Sequence, residues 1–261
     1  MSKGTLVFFS TFFLLLTPLC DRIIIKKGGE KGGIMKTKTR STEQIIEEQV
    51  RRWQIIQKEE RKEKEHISVI TISREPGSGG NILAKRLSEQ LGFDLFYQEF
   101  IHDMAESARV SVRLLETLDE KGVSVLEEWI SSLVDKRHLW PDRYLQHLMK
   151  IIGTIGKHGR AVIVGRGANF VLPPDKRLSI RVIAPLETRL KNVSQAYDVS
   201  VEDVKPRVLK TESDRKAFIK KYFNNDITNP LNYDLIINTG ILSIDDAANA
   251  VKGALSELNR A

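Results

Sequence analysis

Two short stretches of this sequence have residue types and spacing suited to holding phosphate. The first is Ser73-Arg-Glu-Pro-Gly-Ser-Gly-Gly80, which lies between a short apolar run and an amphipathic stretch. Gly77, Ser78, Gly79 and Gly80 are small enough to let backbone N–H groups turn inward around an anion. A helix starting there adds the positive end of its dipole. A full phosphate-binding loop reads G-x-x-x-x-G-K-[ST]. With Gly79 as the second glycine, Arg74 falls at the first glycine, Gly80 at the lysine and Asn81 at the serine or threonine. The usual phosphate lysine and magnesium-binding hydroxyl are therefore both missing, and a glycine-rich turn that binds nothing stands as the alternative. The second stretch is Ala161-Val-Ile-Val-Gly-Arg-Gly167, where Arg166 sits between two glycines after a buried-strand pattern. Ligands of open α/β sheets bind beyond the carboxyl ends of the strands. A guanidinium there can clamp phosphate through two hydrogen bonds.

The elements around these stretches alternate. Residues 67–72 are short, β-branched and apolar, as a buried strand requires. Residues 82–91 place apolar side chains at 83, 84, 87 and 91 and stop at Gly92, which predicts an amphipathic helix. Residues 103–158 read as mainly helical. Strands are expected at 161–164, 178–183 and 235–237, and helices at 185–197 and 201–210. Ser243 and Asp246 cap a last helix to about Leu258. The pattern predicts an α/β fold with a largely parallel sheet covered on both faces.

Ahead of this domain, residues 35–66 read as a charged amphipathic helix. Ser41 and Gln44 fit a capping box, and Ile46, Val50 and Trp53 form one apolar stripe. The almost wholly charged run 58–65 fits a solvated helix end. Two readings stand for the stripe: packing through Trp53 on the following domain, or association with a second subunit or partner.

Composition is that of a globular chain, with 41% hydrophobic and 29% charged residues. Cys20 is the only cysteine, which excludes an intrachain disulfide and a thiolate zinc site. The net charge of +7 does not point to nucleic acid, because residues 1–34 supply five basic and two acidic residues of that balance. Residues 6–20 form a nearly continuous apolar run resembling a signal-peptide core, shorter than the roughly 20 residues of a spanning helix. The Lys26–Met35 segment, KKGGEKGGIM, is readily encoded by a purine-rich ribosome-binding sequence just before the codon for Met35. We therefore expect translation to start at Met35, with residues 1–34 a mis-called extension and the protein cytoplasmic. A membrane-anchored or exported protein is the alternative.

Ile70–Gly92 (ITISREPGSGGNILAKRLSEQLG) resembles the cytidylate kinase-like family, whose loop reads S-R-E-x-G-S-G-G and also lacks the lysine. That family's loop continues with arginine and glutamate, where Asn81 and Ile82 stand here, so Arg74 and Lys85 are candidate substitutes for the cation. Phe96–His102 (FYQEFIH) is similar to the family's F-Y-D-K-E-L-I segment, with Gln98 in place of aspartate. It implies that Tyr97 and Glu99 contact an acceptor base or ribose, although a half-buried core role for Tyr97 stays open. The 161–169 stretch resembles the family's G-R-x-x-G segment, which implies that Arg166 holds the acceptor phosphate. Residues 207–222 (RVLKTESDRKAFIKKY) look like the mobile lid of a nucleoside monophosphate kinase, with Arg215 at a lid-arginine position that neutralises the transferring phosphoryl group. Residues 229–239 (NPLNYDLIINT) resemble the closing D-P-x-N-Y-D-L-V-I-N-T, in which Tyr233 and Asp234 are expected to support the fold.

The resemblance spans roughly residues 67–259 and implies a P-loop NTPase-like parallel sheet flanked by helices, with an N-terminal helical extension. It implies nucleotides as ligands, ATP with Mg2+, no nucleic acid, and phosphoryl transfer from ATP to a nucleoside monophosphate, CMP by analogy. The competing function is a catalytically weak nucleotide sensor or regulatory module, suggested by the missing lysine and hydroxyl. No acidic magnesium ligand is recognisable.

Overall fold

A computed structural model describes residues 42–59 and 67–260. The apolar run at 6–20, the start at Met35, the capping role of Ser41 and the charged stretch at 60–66 lie outside the described residues. Helix α1 spans Thr42–Glu59. Strand β1 (Val69–Arg74) then leads through the glycine loop into α2 (Gly80–Leu91). Strand β2 (Asp94–Phe96) is followed by four helices: α3 (Gln98–Glu106), α4 (Ala108–Leu115), α5 (Glu120–Arg137) and α6 (Arg143–His158). Strand β3 (Ala161–Val164), the short α7 (Ala168–Val171) and β4 (Arg177–Ile183) come next. The chain closes with α8 (Leu186–Tyr197), α9 (Val201–Phe223), β5 (Leu235–Asn238) and α10 (Ile244–Leu258).

The five strands form one parallel sheet in the order β2-β3-β1-β4-β5. Alternation along each strand divides the core in two. Ile70, Ile72, Val162 and Val164 face α2 and α10, meeting Leu83, Leu87, Ala247 and Val251. Val69, Ala161 and Ile163 face the other way, toward α3, α6 and the end of α9, meeting Ile101, Leu148, Ile152 and Phe223. Burial on both faces explains why β1 and β3 read as short apolar runs, whereas β4 also buries Arg177, Ser179 and Arg181, each hydrogen-bonded.

Two features differ from the sequence reading. Strand β2 was not predicted; three residues carry no periodicity, and it forms because it pairs with β3 from Asp94↔Ala161 onward. The lid region is not a separate segment. Residues 201–223 are one 23-residue helix capped by Ser200, whose hydroxyl accepts from the Asp203 amide, and closed by Asn224 in the left-handed region. Pro206 leaves one intrahelical bond unmade near its start. The first half of α9 packs on α8 through Val204 and Val208, and the second half inserts Ile219 and Phe223 into the core, so this helix is anchored at both ends. Of the two readings for the α1 stripe, packing on the following domain holds: Trp53 is only 3% exposed and lies in the main core.

Candidate active site

Strand β1 ends at Arg74, and the loop turns sharply where only glycine is comfortable. Gly77 and Gly79 have φ of 80° and 75°, and a Cβ on Gly77 would collide with the Arg189 backbone carbonyl. Carbonyl and hydroxyl groups of the loop are tied to its surroundings. The Ser78 hydroxyl donates to Glu75 O (2.9 Å), Asn192 Nδ2 donates to Gly77 O (2.9 Å), and the Thr239 hydroxyl donates to Ser78 O (2.7 Å). One amide, that of Ser78, is consumed by Glu75 O (3.2 Å). Among the described residues, the amides of Gly77, Gly79, Gly80 and Ile82 meet no acceptor within the chain. A cavity of about 410 Å³ opens over them, walled by the loop, by Thr188, Asn192 and Tyr197 of α8, by Arg215 of α9 and by residues 239–244. The loop is thus open, with donors and a helix N-terminus facing a space large enough for a polyphosphate.

Arg74 is 4% exposed and threads beneath the first turn of α2. Its Nε donates to Asn81 Oδ1 (2.9 Å) and its Nη1 to Gln98 Oε1 (3.0 Å). Two glycines make room for it: a Cβ would stand 2.5 Å from Arg74 Cβ at Gly80 and 2.7 Å from Nη1 at Gly165. Arg215 reaches across from α9, and its Nη1 donates to the Arg74 carbonyl (3.0 Å). These two arginines are the cations among the residues lining the cavity, against one acid, Glu75. Lys85 is not among those residues; it points along α2 to Glu89 (3.7 Å), so it does not stand in for the missing lysine.

Arg166, Tyr97 and Glu99 lie apart from this cavity, around the start of α3. Gly165, Arg166 and Gly167 have consecutive positive φ values of 78°, 51° and 69°, which fold the chain back after β3. Arg166 Nε donates to Gln98 O (3.3 Å), and its guanidinium stacks 5.2 Å from the centre of the Phe218 ring. Burial and the Arg166 charge push His102 down to about 4, while burial raises Tyr144 to about 12 and raises the Asp103 carboxyl despite Arg166. His102 Nδ1 lies 3.1 Å from the Tyr144 hydroxyl. Tyr97 precedes α3 and packs against the α2 side of the core, in keeping with its structural reading.

Sequence reasoning missed the residues that join these two clusters. Gln98 receives Arg74 on its side chain and Arg166 on its carbonyl, linking loop and strand end. Its position in the FYQEFIH segment was the available signal. Arg189, buried on α8, bonds Glu212 of α9 (3.0 Å), lies 3.4 Å from Glu75 and donates to Ala184 O. Glu75 Oε2 also accepts from the Ala184 amide (3.1 Å). Arg181 donates to Ser73 Oγ (2.7 Å) below the loop. Nothing local marks these partners. Tyr233 bonds Ile227 O and Ser73 Oγ, and Asp234 holds Ser179 N and Arg177, so both support the fold as expected.

Among the described residues, no side chains form a magnesium site of their own. No cluster of three His, Cys, Asp or Glu exists among the described residues. Glu75 is committed to Arg189 and the Ala184 amide, and the Asn81 oxygen accepts from Arg74. No helix among the described residues is long and apolar enough to cross a membrane.

A model of the cytidylate kinase-like family matches residues 69–241. A cytidylate kinase of Ignicoccus hospitalis is 26% identical over 189 residues, covering 72% of this chain and 99% of that protein. Those of Methanocaldococcus jannaschii and Pyrococcus horikoshii are 25% and 29% identical over 198 and 193 residues, covering 74% and 73% of this chain and 99% and 90% of theirs. Among solved structures, an uncharacterized protein from Eubacterium ventriosum superposes with a TM-score of 0.55 at 20% identity, over 72% of this chain and 98% of that one, a likeness of fold.

Proposed function

Because the chain belongs to the cytidylate kinase-like family, we propose that it transfers the γ-phosphoryl group of ATP to a nucleoside monophosphate, with CMP the acceptor. An oxygen of the acceptor phosphate attacks the γ-phosphorus, the bond to the bridging oxygen breaks, and ADP and CDP leave. No proton transfer or covalent enzyme intermediate is needed, so the protein's task is positioning and charge neutralisation. The amides of Gly79, Gly80 and Ile82 cradle the ATP phosphates. Arg74 and Arg215 supply the positive charge that a loop lysine gives elsewhere. Arg166, held by Gln98, clamps the acceptor phosphate, with Tyr97 and Glu99 beside it. Magnesium bound to the ATP phosphates would supply further charge neutralisation on the transferring group.

The observation that carries this reading is the open cradle of amides under a 410 Å³ cavity that also contains two arginines. A sensor that binds nucleotides without turnover remains the second reading, favoured by the lysine-free loop with Asn81 locked to Arg74. The test is to titrate the purified protein with nucleoside mono- and triphosphates and to follow ADP and CDP formation. Saturable ATP and CMP binding with CDP produced supports the kinase. Binding without CDP supports the sensor, and no binding of either removes both readings.

A further inference from the structure

Helix α1 precedes residue 69, where the family match begins. It is nevertheless built into the domain: Ile46, Val50 and Trp53 join the main core, Glu47 pairs with Arg113 of α4 (3.3 Å), and its next turn reaches the outer strand β2. Strand β2 is three residues long and pairs only with β3, so its outer side needs cover. Helix α1 provides it. Gln49 Nε2 donates to Asp94 Oδ2 (2.6 Å), and Arg52 Nη1 meets Asp94 Oδ1 (3.1 Å), gripping both carboxylate oxygens at the start of β2. Trp53 stacks on His158 at 4.0 Å with its ring 10° from parallel, and meets Phe96 at 6.3 Å. Thr117 Oγ1, 2.7 Å from His158 Nε2, holds the imidazole at its edge.

Phe96 is the last residue of β2 and stacks on Phe100 of α3 at 6.4 Å. Between them stand Tyr97, Gln98 and Glu99. Gln98 is where Arg74 and Arg166 converge. The contact path from Trp53 to the two arginines therefore runs through one aromatic ring and one turn of backbone.

We infer that Trp53 is a positioning residue for the acceptor half of the site: by fixing Phe96 and the end of β2, it sets the placement of Gln98 and hence of Arg166. This rests on the proposed phosphotransfer reading. The loop backbone is reached by a different route, from the sheet centre and α8, and Arg74 keeps its bond to Asn81 when Gln98 shifts, so Trp53 acts more strongly on acceptor binding than on ATP binding. A displacement of about 1 Å at a binding group can cost up to roughly 100-fold, so an increase of about tenfold or more in acceptor KM is expected.

The experiment uses the full chain carrying Trp53→Ala, Trp53→Phe, or Gln49→Ala with Arg52→Ala. CMP and ATP binding are measured separately by calorimetry, alongside KM for each and kcat. Trp53→Ala is expected to weaken CMP binding selectively and Trp53→Phe to restore it, while the double variant shows a smaller shift in the same direction. A merely structural role would lower the folded fraction and leave both KM values of the folded protein unchanged. That result, or parallel weakening of ATP and CMP, overturns the inference while leaving the phosphotransfer reading intact. If Trp53→Ala does not fold, the double variant decides. A wild-type chain that binds no nucleoside monophosphate overturns both.

Discussion

Replacing Arg215 with alanine removes one of the two cations in the candidate phosphate cavity and leaves Arg74 opposed by Glu75. A unit charge about 4 Å from a phosphoryl oxygen, at the effective dielectric of about 20 suited to such sites, is worth about 4 kcal/mol. At about 1.4 kcal/mol per decade, that is a rate loss of roughly 1,000-fold. The bond from Nη1 to the Arg74 carbonyl also disappears, costing about 1–2 kcal/mol of stability. Arg215 comes from a helix whose two ends are packed, so its deletion leaves α9 in place. The loss is expected mainly in kcat, because charge on the transferring group is what the guanidinium opposes. Arg215→Lys keeps the charge but cannot bridge carbonyl and phosphate together, so it should recover part of the rate. Initial rates of ADP formation with CMP, together with ATP binding by calorimetry, separate the two parameters. A folded Arg215→Ala protein with less than about a tenfold loss, or with its loss confined to KM, would refute the reasoning.

Two further outcomes concern stability. Asp234→Ala strips Arg177, which is 9% exposed at its side chain, of its carboxylate and leaves the Ser179 amide without its 2.7 Å acceptor. Because Asp234 is itself partly exposed, the expected cost is about 1–3 kcal/mol in urea unfolding, with kcat and both KM values of the folded enzyme unchanged. Burial holds His158 down to about 4 from 6.5, so the unfolded chain takes up a proton over a pH range where the folded one does not. The associated stability is complete above about 6.5 and is lost as pH falls toward 4, with about 2 kcal/mol gone by pH 5. His158→Gln should reduce the steepness of that acid limb in denaturant titrations, His102 supplying the part that stays, and an unchanged slope would refute the assignment.

Legibility in the sequence followed the range of the interactions. β1, β3, β4, α2 and α10 could be read because β-branched runs, caps and helical spacing are local properties. The loop was recognisable from its glycines, and its openness depended on carbonyls being drawn outward by Asn192 and Thr239, which are distant in sequence. The stripe on α1 showed that Trp53 would be buried but could not say against what; its partners are Phe96 and His158. The lid pattern suggested a loose segment, whereas Ile219 and Phe223 carry the helix straight into the core. Arg74 was singled out for its charge, but its path between Gly80 and Gly165 to Gln98 needs two chain segments that only the fold brings together.

Arg166 occupies a left-handed backbone position that most side chains avoid, at a cost of about 1–2 kcal/mol. Asparagine or glycine would sit there with less strain, yet neither could span to Gln98 and lie over Phe218. Selection for thermal robustness alone would therefore drift away from arginine at this corner, trading the side chain proposed to hold the acceptor phosphate for a more relaxed bend.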